Sequence, residues 1–259
     1  MLNSSAEKPI AVIDSGVGGI SVLKELIALL PEENFLFFGD EANAPYGTKS
    51  REEVCSITVN NVKRLIEDYN IKAAVIACNT ATGASVTVLR DIYPEIPIIG
   101  IEPEIKTAAL SSEHPNVLIM ATPLTLRQPK FVFLMNKYRT KANFRLLPCP
   151  GLMELIENGH LSDNTLNDYL KKLFSGLGNG NFNAIVLGCT HYPHVRKSIS
   201  EFFPGIPIYD GCHGTAAETR RRLEKAGLAE HSGRTGTIRF ITTADNPNFC
   251  KICHMLLNM

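Results

Sequence analysis

Short runs of aliphatic and aromatic residues alternate along this chain with longer amphipathic stretches. The run Ile10 to Ile13 ends at Asp14, and beyond Gly16, Gly18 and Gly19 a helical pattern covers Ser21 to Leu30. Phe35 to Phe38 reads as a second strand ending at Gly39-Asp40, followed by a loop at Asn43 to Gly47 and a helix over Arg51 to Tyr69. Ala73 to Ala77, a helix from Thr80 to Tyr93, and Ile96 to Ile99 complete the first series. The rhythm then repeats, with strands at Val117 to Met120, Phe144 to Leu147, Ala184 to Leu187 and Ile206 to Tyr209. Helical patterns over Pro129 to Tyr138 and Asn164 to Ser175 lie between them, and Gly176 to Phe182, with Gly178-Asn179-Gly180, is a loop. Thr237 to Thr242 and Asn246 to Leu257 read as a closing strand and helix. Alternating strands and helices predict mostly parallel sheets covered on both faces. These are too many strands for one compact sheet. The expected fold class is therefore α/β, with two lobes and a cleft between them.

The two series share an echo. Val75-Ile76-Ala77-Cys78-Asn79-Thr80 resembles Val186-Leu187-Gly188-Cys189-Thr190-His191. In each, a buried strand runs into a small residue, a cysteine, a polar residue and a helix. Ligands of open α/β sheets bind outside the carboxyl ends of the strands, and helix N-terminal amides favour a thiolate. Cysteines often only fill space, which is the reading for Cys55 within a helix. A matched pair at two strand-to-helix corners points to chemistry instead. If the lobes are pseudo-symmetric, the thiols face each other. They would then form either a disulfide switch or an acid and a base on opposite faces of one carbon, the arrangement that inverts a stereocentre.

Other motifs converge on the same cleft. The glycines after Asp14 and Ser15 lack the Gly-x-Gly-x-x-Gly spacing, and no Gly-Lys-Ser/Thr follows, so neither nucleotide-binding loop is present. They form either a plain turn or an anion cradle, while Asp14 at a strand end suits a substrate ammonium or a thiol proton. Pro45-Tyr46-Gly47 is either a surface turn or a carboxylate holder through the main-chain amides of Tyr46 and Gly47. His191, two residues past Cys189, is placed to take or stabilise its proton, whereas His194 is expected on a helix flank or in solvent. Cys189-x-His191 is not a zinc spacing, so no metal site is expected. Cys250-x-x-Cys253-His254 lies in the last helical pattern and reads as structural, while Cys212-His213 is a strand-to-helix corner that could reach the rim of the cleft but is not expected to be catalytic.

Composition narrows the classes. The 259 residues are 44% hydrophobic and 20% charged, which fits a folded globular protein. With 26 basic and 26 acidic residues the formal charge is zero, which argues against a nucleic-acid partner. No apolar run suits a membrane span, and Met1 to Ile10 has no apolar core of a signal peptide. Seven cysteines, an odd number, suit reduced thiols in the cytoplasm.

Asp14-Ser15-Gly16, Pro45-Tyr46-Gly47, Cys78-Asn79-Thr80-Ala81 and Gly188-Cys189-Thr190-His191-Tyr192-Pro193 stand in the order of the signature set of the glutamate racemase family, within the aspartate/glutamate racemase superfamily, and resemble it closely. Ile101-Glu102-Pro103 and Ile241-Thr242-Thr243-Ala244-Asp245 resemble weaker landmarks of that family. The resemblance implies a cofactor-independent isomerase that interconverts L- and D-glutamate, the D form serving peptidoglycan synthesis, cell-wall biogenesis and cell shape. It implies that Cys78 and Cys189 are the acid/base thiols, supported by Asp14 and His191. Asp14, Ser15, Pro45, Tyr46, Gly47, Asn79, Thr80, Thr190 and His191 would contact the amino acid. It implies two lobes, residues 1–98 with 209–259 and residues 99–208, and a homodimer. The chain departs from the family pattern at Asn43-Ala44, where many members carry Arg, at Glu104, where Gly is common, and at Gly211-Cys212-His213. Aspartate racemase shares the paired cysteines but resembles a pattern with Glu in place of His191. A thiol-based redox or regulatory amino-acid-binding protein is the rival from another class.

Overall fold

A computed structural model describes residues 5–178 and 180–259. Asn179, within the expected Gly-rich loop, and residues 1–4 of the N-terminal stretch lie outside the described residues. The first half of the chain contains β1 (Ile10–Asp14), α1 (Ile20–Leu29), β2 (Phe35–Gly39), α2 (Arg51–Tyr69), β3 (Ala73–Ile76), α3 (Asn79–Ile92), β4 (Ile98–Gly100) and α4 (Ile105–Ala109). The second contains β5 (Asn116–Ala121), α5 (Pro123–Arg127), α6 (Pro129–Tyr138), β6 (Asn143–Pro148), α7 (Leu152–Glu157), α8 (Asn164–Ser175), β7 (Ala184–Gly188), α9 (Arg196–Phe202) and β8 (Ile208–Asp210). The chain closes with α10 (Cys212–Ala226), β9 (Ile238–Thr242) and α11 (Phe249–Leu257).

Two sheets result, ordered β4-β3-β1-β2-β9 and β6-β5-β7-β8, and every strand pair is parallel. Read from the opposite edge, the second sheet is β8-β7-β5-β6, the same winding as the first four strands of its partner. The α/β architecture with two like-wound lobes is thus present, and β9 is an added edge strand on the first. The sheets explain the continuous apolar runs, because a parallel sheet is buried on both faces. Along β1, Ile10 and Val12 enter one core while Ala11 and Ile13 enter the other. Along β5, Leu118 and Met120 oppose Val117 and Ile119 in the same way. That period of two is the pleat.

The chain returns to the first lobe through α10, β9 and α11. Phe249 of α11 stacks on Phe37 with ring centroids 6.2 Å apart, and lies where a Cβ on Gly39 would be. At the other end of that sheet, the buried pair Lys72 and Glu33 is satisfied further: Lys72 Nζ donates to the Ala6 and Leu228 carbonyls, and Glu33 accepts from the Glu230 amide. Both charges are paired and hydrogen-bonded, as burial requires.

Several elements differ from the expected ones. The fourth and eighth strands are shorter and begin two residues later, because Pro97 and Pro207 precede them and lack an N–H for a ladder. The expected loop at Asn43 to Gly47 is two short 3-10 turns, Glu41–Asn43 and Tyr46–Thr48. The last helix starts at Phe249 rather than Asn246, since Pro247 disfavours a helical residue before it. The helices α4, α5, α7 and α9 are too short for their periodicity to stand out. No helix among the described residues is long and apolar enough to cross a membrane.

Candidate active site

Both matched cysteines follow the strand beside which the winding reverses. In the first sheet the chain runs from β1 to β2, then crosses back to β3; in the second it runs from β5 to β6, then back to β7. The crevice outside such a reversal is where open α/β sheets hold ligands. Cys78 follows β3 and Cys189 follows β7, so the two are topologically equivalent. Both are buried, 6% and 7% exposed, and Cys189 bears electrostatically on Cys78.

Cys78 caps α3: its Sγ accepts from the Ala81 amide at 3.5 Å, and its thiol lies 3.9 Å from Ser15 Oγ as a donor. Burial, and then the negative charge of Asp14, push this thiol up to about 12 despite the helix amide. Asp14 is 1% exposed. Its Oδ1 accepts from the Gly16 amide at 3.0 Å, and its Oδ2 accepts from Thr190 Oγ1 of the second lobe at 2.9 Å. Burial holds the Asp14 carboxyl above its ordinary range.

The surroundings of Cys189 differ. Its Sγ lies 3.7 Å from His191 Nδ1, and His191 Nε2 lies 2.7 Å from Glu157 Oε1. The same Glu157 oxygen accepts from the Val17 amide of the first lobe at 3.2 Å. Burial works against a charged His191, but its contacts with Cys189 and Glu157 outweigh that and raise its pKa well above the ordinary value. Burial likewise opposes a charged Glu157, and the hydrogen bond and charge of His191 reverse the balance, leaving the carboxyl low.

The glycines of the Asp14 loop are required by this contact. A Cβ on Gly18 would lie 2.3 Å from His191 Nδ1, and one on Gly16 only 1.8 Å from Glu157 Oε1. The loop therefore presses its backbone directly onto the His191–Glu157 pair. His194, expected on a helix flank or in solvent, instead faces this loop, with Nε2 3.2 Å from the Gly18 carbonyl. Burial pulls its pKa down to about 4, so near neutral pH it is an uncharged donor to that carbonyl.

The remaining expected contacts surround the same cleft. Tyr46 donates its hydroxyl to Asp40 Oδ2 at 2.5 Å, and Asp40, fully buried, also accepts from Asn43, Asn61 and Thr243. That network fixes the Pro45-Tyr46-Gly47 turn. Pro45 and Gly47 line a cavity of about 60 Å³ with Thr122, Cys149 and Gly151 of the second lobe. Thr80 Oγ1 lies 3.1 Å from Thr122 Oγ1 and 3.0 Å from Thr125 Oγ1, and Gln128 Nε2 donates to the Thr80 carbonyl. Asn79 is buried, yet neither atom of its amide has a partner among the described residues. It lines a cavity of about 260 Å³ with Gln128 and Phe131. A pair of unspent amide groups suits a polar ligand.

Hydrogen bonds join Thr190 to Asp14, Cys78 to Ser15 and Cys189 to His191, while Asn79 opens on the cavity beside Phe131, and Pro45 and Gly47 on the one beside Thr122. Sequence reasoning missed Glu157, Asp40 as a hub, Thr122 and Gln128. Glu157 ends a six-residue helix and is far in sequence from both cysteines, so no spacing pointed to it. Cys250 is exposed and Cys253 buried on α11, and neither belongs to the cleft network. Among the described residues, no group of three His, Cys, Asp or Glu side chains could hold a metal ion.

The sequence model of the Asp/Glu/Hydantoin racemase family matches residues 10–219. The chain belongs to that family. The glutamate racemase of Clostridium acetobutylicum is 44% identical over 256 residues, covering 99% of this chain and 100% of its own. A glutamate racemase isoform of Bacillus anthracis has the same fold, with a TM-score of 0.87 at 28% identity over 98% of this chain and 95% of its own. So does the glutamate racemase of Francisella tularensis solved with D-glutamate, with a TM-score of 0.84 at 29% identity, again over 98% and 95%. In this racemase family member the matched span includes both cysteines together with Asp14, Glu157, Thr190 and His191.

Proposed function

We propose that the protein is a glutamate racemase that works without a cofactor through Cys78 and Cys189. The observation that carries the proposal is the equivalence of the two cysteines at the reversal points of two like-wound sheets. A racemase must accept both enantiomers, and a base and an acid on opposite faces of one carbon satisfy that need. One thiolate takes the Cα proton, and the electron pair left behind spreads into the α-carboxylate. The opposite thiol then delivers its proton to the far face, and the enzyme is left with its two protonation states exchanged. Proton transfer by positioned groups accounts for part of the barrier. Hydrogen bonds aimed at the developing carboxylate charge account for more.

The residues divide accordingly. Asp14 and Ser15 serve Cys78; His191, with Glu157 behind it, serves Cys189. The substrate ammonium at Asp14 would offset the charge that helps hold the Cys78 thiol up, and so ease its ionisation. Asn79, Thr80 and Thr190 bind the α-carboxylate side, with the free Asn79 amide as support. The Pro45-Tyr46-Gly47 turn holds the distal carboxylate. Among the described residues we assign those up to 100 and 211–259 to one lobe and those between to the other, which follows the ends of β4 and β8 two residues past the expected boundaries. Seven free cysteines, two of them needed as thiols, favour a reducing compartment such as the cytoplasm. The family likeness favours a homodimer and a role in supplying D-glutamate for peptidoglycan.

The test is proton NMR of the reduced protein with L-glutamate in D₂O and no added cofactor, with aspartate in parallel. Loss of the glutamate α-proton signal together with decay of optical activity is expected. Exchange of aspartate alone would reassign the substrate, and exchange of neither would refute the racemase reading.

A further inference from the structure

We propose that Ser21, held in turn by Cys212, is a positioning residue that orients the Cys189–His191 turn from the opposite lobe; the inference rests on Cys189 being one of the two acid/base thiols. Ser21 is the second residue of α1 and is buried. Its Oγ lies 2.9 Å from the Gly18 carbonyl of its own loop and 2.9 Å from the Thr190 carbonyl across the cleft. Thr190 stands between Cys189 and His191. The residue whose amide would close a tight turn onto that carbonyl is Pro193, which has no N–H. The second lobe therefore leaves the Thr190 carbonyl to a donor from the first.

Two neighbours settle where the single Ser21 hydroxyl hydrogen goes. The Gly18 carbonyl is already served by His194 Nε2. Cys212, buried at the start of α10, points its thiol at Ser21 Oγ from 3.5 Å, filling an acceptor site on that oxygen. Burial and the nearby Asp210 keep the Cys212 thiol protonated, and its one hydrogen is shared between Ser21 Oγ and the Asp210 carboxylate. Ser21 donates to the Thr190 carbonyl with Cys212 against its oxygen, while the Thr190 hydroxyl donates to Asp14. Thr190 is thus held at two points, both across the lobe boundary, and the flanking thiol and imidazole take their orientation from it. This gives a use to the cysteine at the Cys212-His213 corner.

The experiment compares Ser21→Ala, Cys212→Ala and Cys212→Ser with wild type and Cys189→Ser in the full-length protein. Racemisation is measured in both directions, and iodoacetamide labelling of Cys78 and Cys189 is followed against pH by peptide mass spectrometry. Ser21→Ala is expected to lower kcat about tenfold, the scale of one hydrogen bond, with KM changed less than about threefold. Its Cys189 labelling profile shifts in pH, while that of Cys78 does not. Cys212→Ala loses several-fold, and Cys212→Ser recovers most of that loss. If Cys212 served only packing, serine would do no better than alanine, and that ranking would overturn the proposal. So would a Ser21→Ala protein with wild-type kcat and an unmoved Cys189 profile. Full turnover by Cys189→Ser would instead remove the two-thiol reading, while the labelling profiles would still report whether Ser21 orients the turn.

Discussion

Cys78 and Cys189 end equivalent strands of equivalent sheets, yet their surroundings have opposite electrostatic character. Cys78 faces a carboxylate, Asp14, and a hydroxyl, Ser15, and burial together with that charge disfavours its thiolate. Cys189 faces an imidazole that Glu157 holds in its charged form. The difference shows that a duplicated winding supplies the placement of two groups without making them chemically alike. Placement comes from strand ends, which both lobes share. Charge comes from side chains on loops, which they do not. The loops also cross over: Asp14 is bound by Thr190 of the second lobe, and Glu157 by the Val17 amide of the first. Each thiol's environment is therefore complete only when the lobes are together.

The largest test removes the likeness itself. Cys78→Ala and Cys189→Ala should each reduce racemisation by about 10³-fold or more, since each deletes a proton-transfer group. Normal two-way turnover in either variant would show that the two ends are not partners.

The next test separates the two environments. Glu157→Gln withdraws the negative charge that helps keep His191 protonated, so the alkaline limb of the pH–rate profile should move to lower pH, with a loss of about 10- to 100-fold. Asp14→Asn withdraws the charge that adds to burial in raising Cys78. Its thiol should come down from about 12 and label faster at a given pH. A Cys78 labelling profile that stays put or moves to higher pH in Asp14→Asn would contradict the role given to Asp14.

Stability sharpens the same contrast by a smaller amount. Glu157 has a lowered pKa in the folded state, so its contribution is present above its unfolded value of about 4.3 and lost as pH falls through the folded one. His191 is raised, so its contribution is full below about 6.5 and lost as pH rises through its folded value. Wild type should therefore exceed Glu157→Gln by about 2 kcal/mol between those limits, with the gap closing on both sides, as urea unfolding across pH would read. Gly18→Ala, whose Cβ would meet His191, should cost about 1–3 kcal/mol and displace the imidazole from Cys189. Cys250→Ser lies outside the comparison, on an exposed face of α11, and should change stability by less than about 0.5 kcal/mol and activity not at all.

Much of the site was legible in the chain because it lies at strand ends. The repeated run of apolar strand, small residue and cysteine marks both thiols; Asp14, Ser15 and Thr190 sit within two residues of a strand end, and His191 within three. The turn at Tyr46 was legible as a turn. Its anchoring was not, because Asp40 gathers donors from Asn61 on α2 and from Thr243 beyond β9, some two hundred residues away. His194 was misplaced for a related reason: a surface helix flank in one lobe becomes interior when the Gly18 loop of the other lobe covers it.

The sequence by itself determined the local elements, the duplicated strand-to-helix corners and the identity of the reactive side chains. These follow from apolar periodicity and from residue chemistry, which act over a few neighbours. Only the tertiary structure decided which carboxylate stands behind His191, which donor holds the Thr190 carbonyl, and why Gly16 and Gly18 have no side chain. Those are contacts between lobes. They depend on how two separately wound sheets meet, and no spacing along one chain encodes the distance between residues that only the closed cleft brings together.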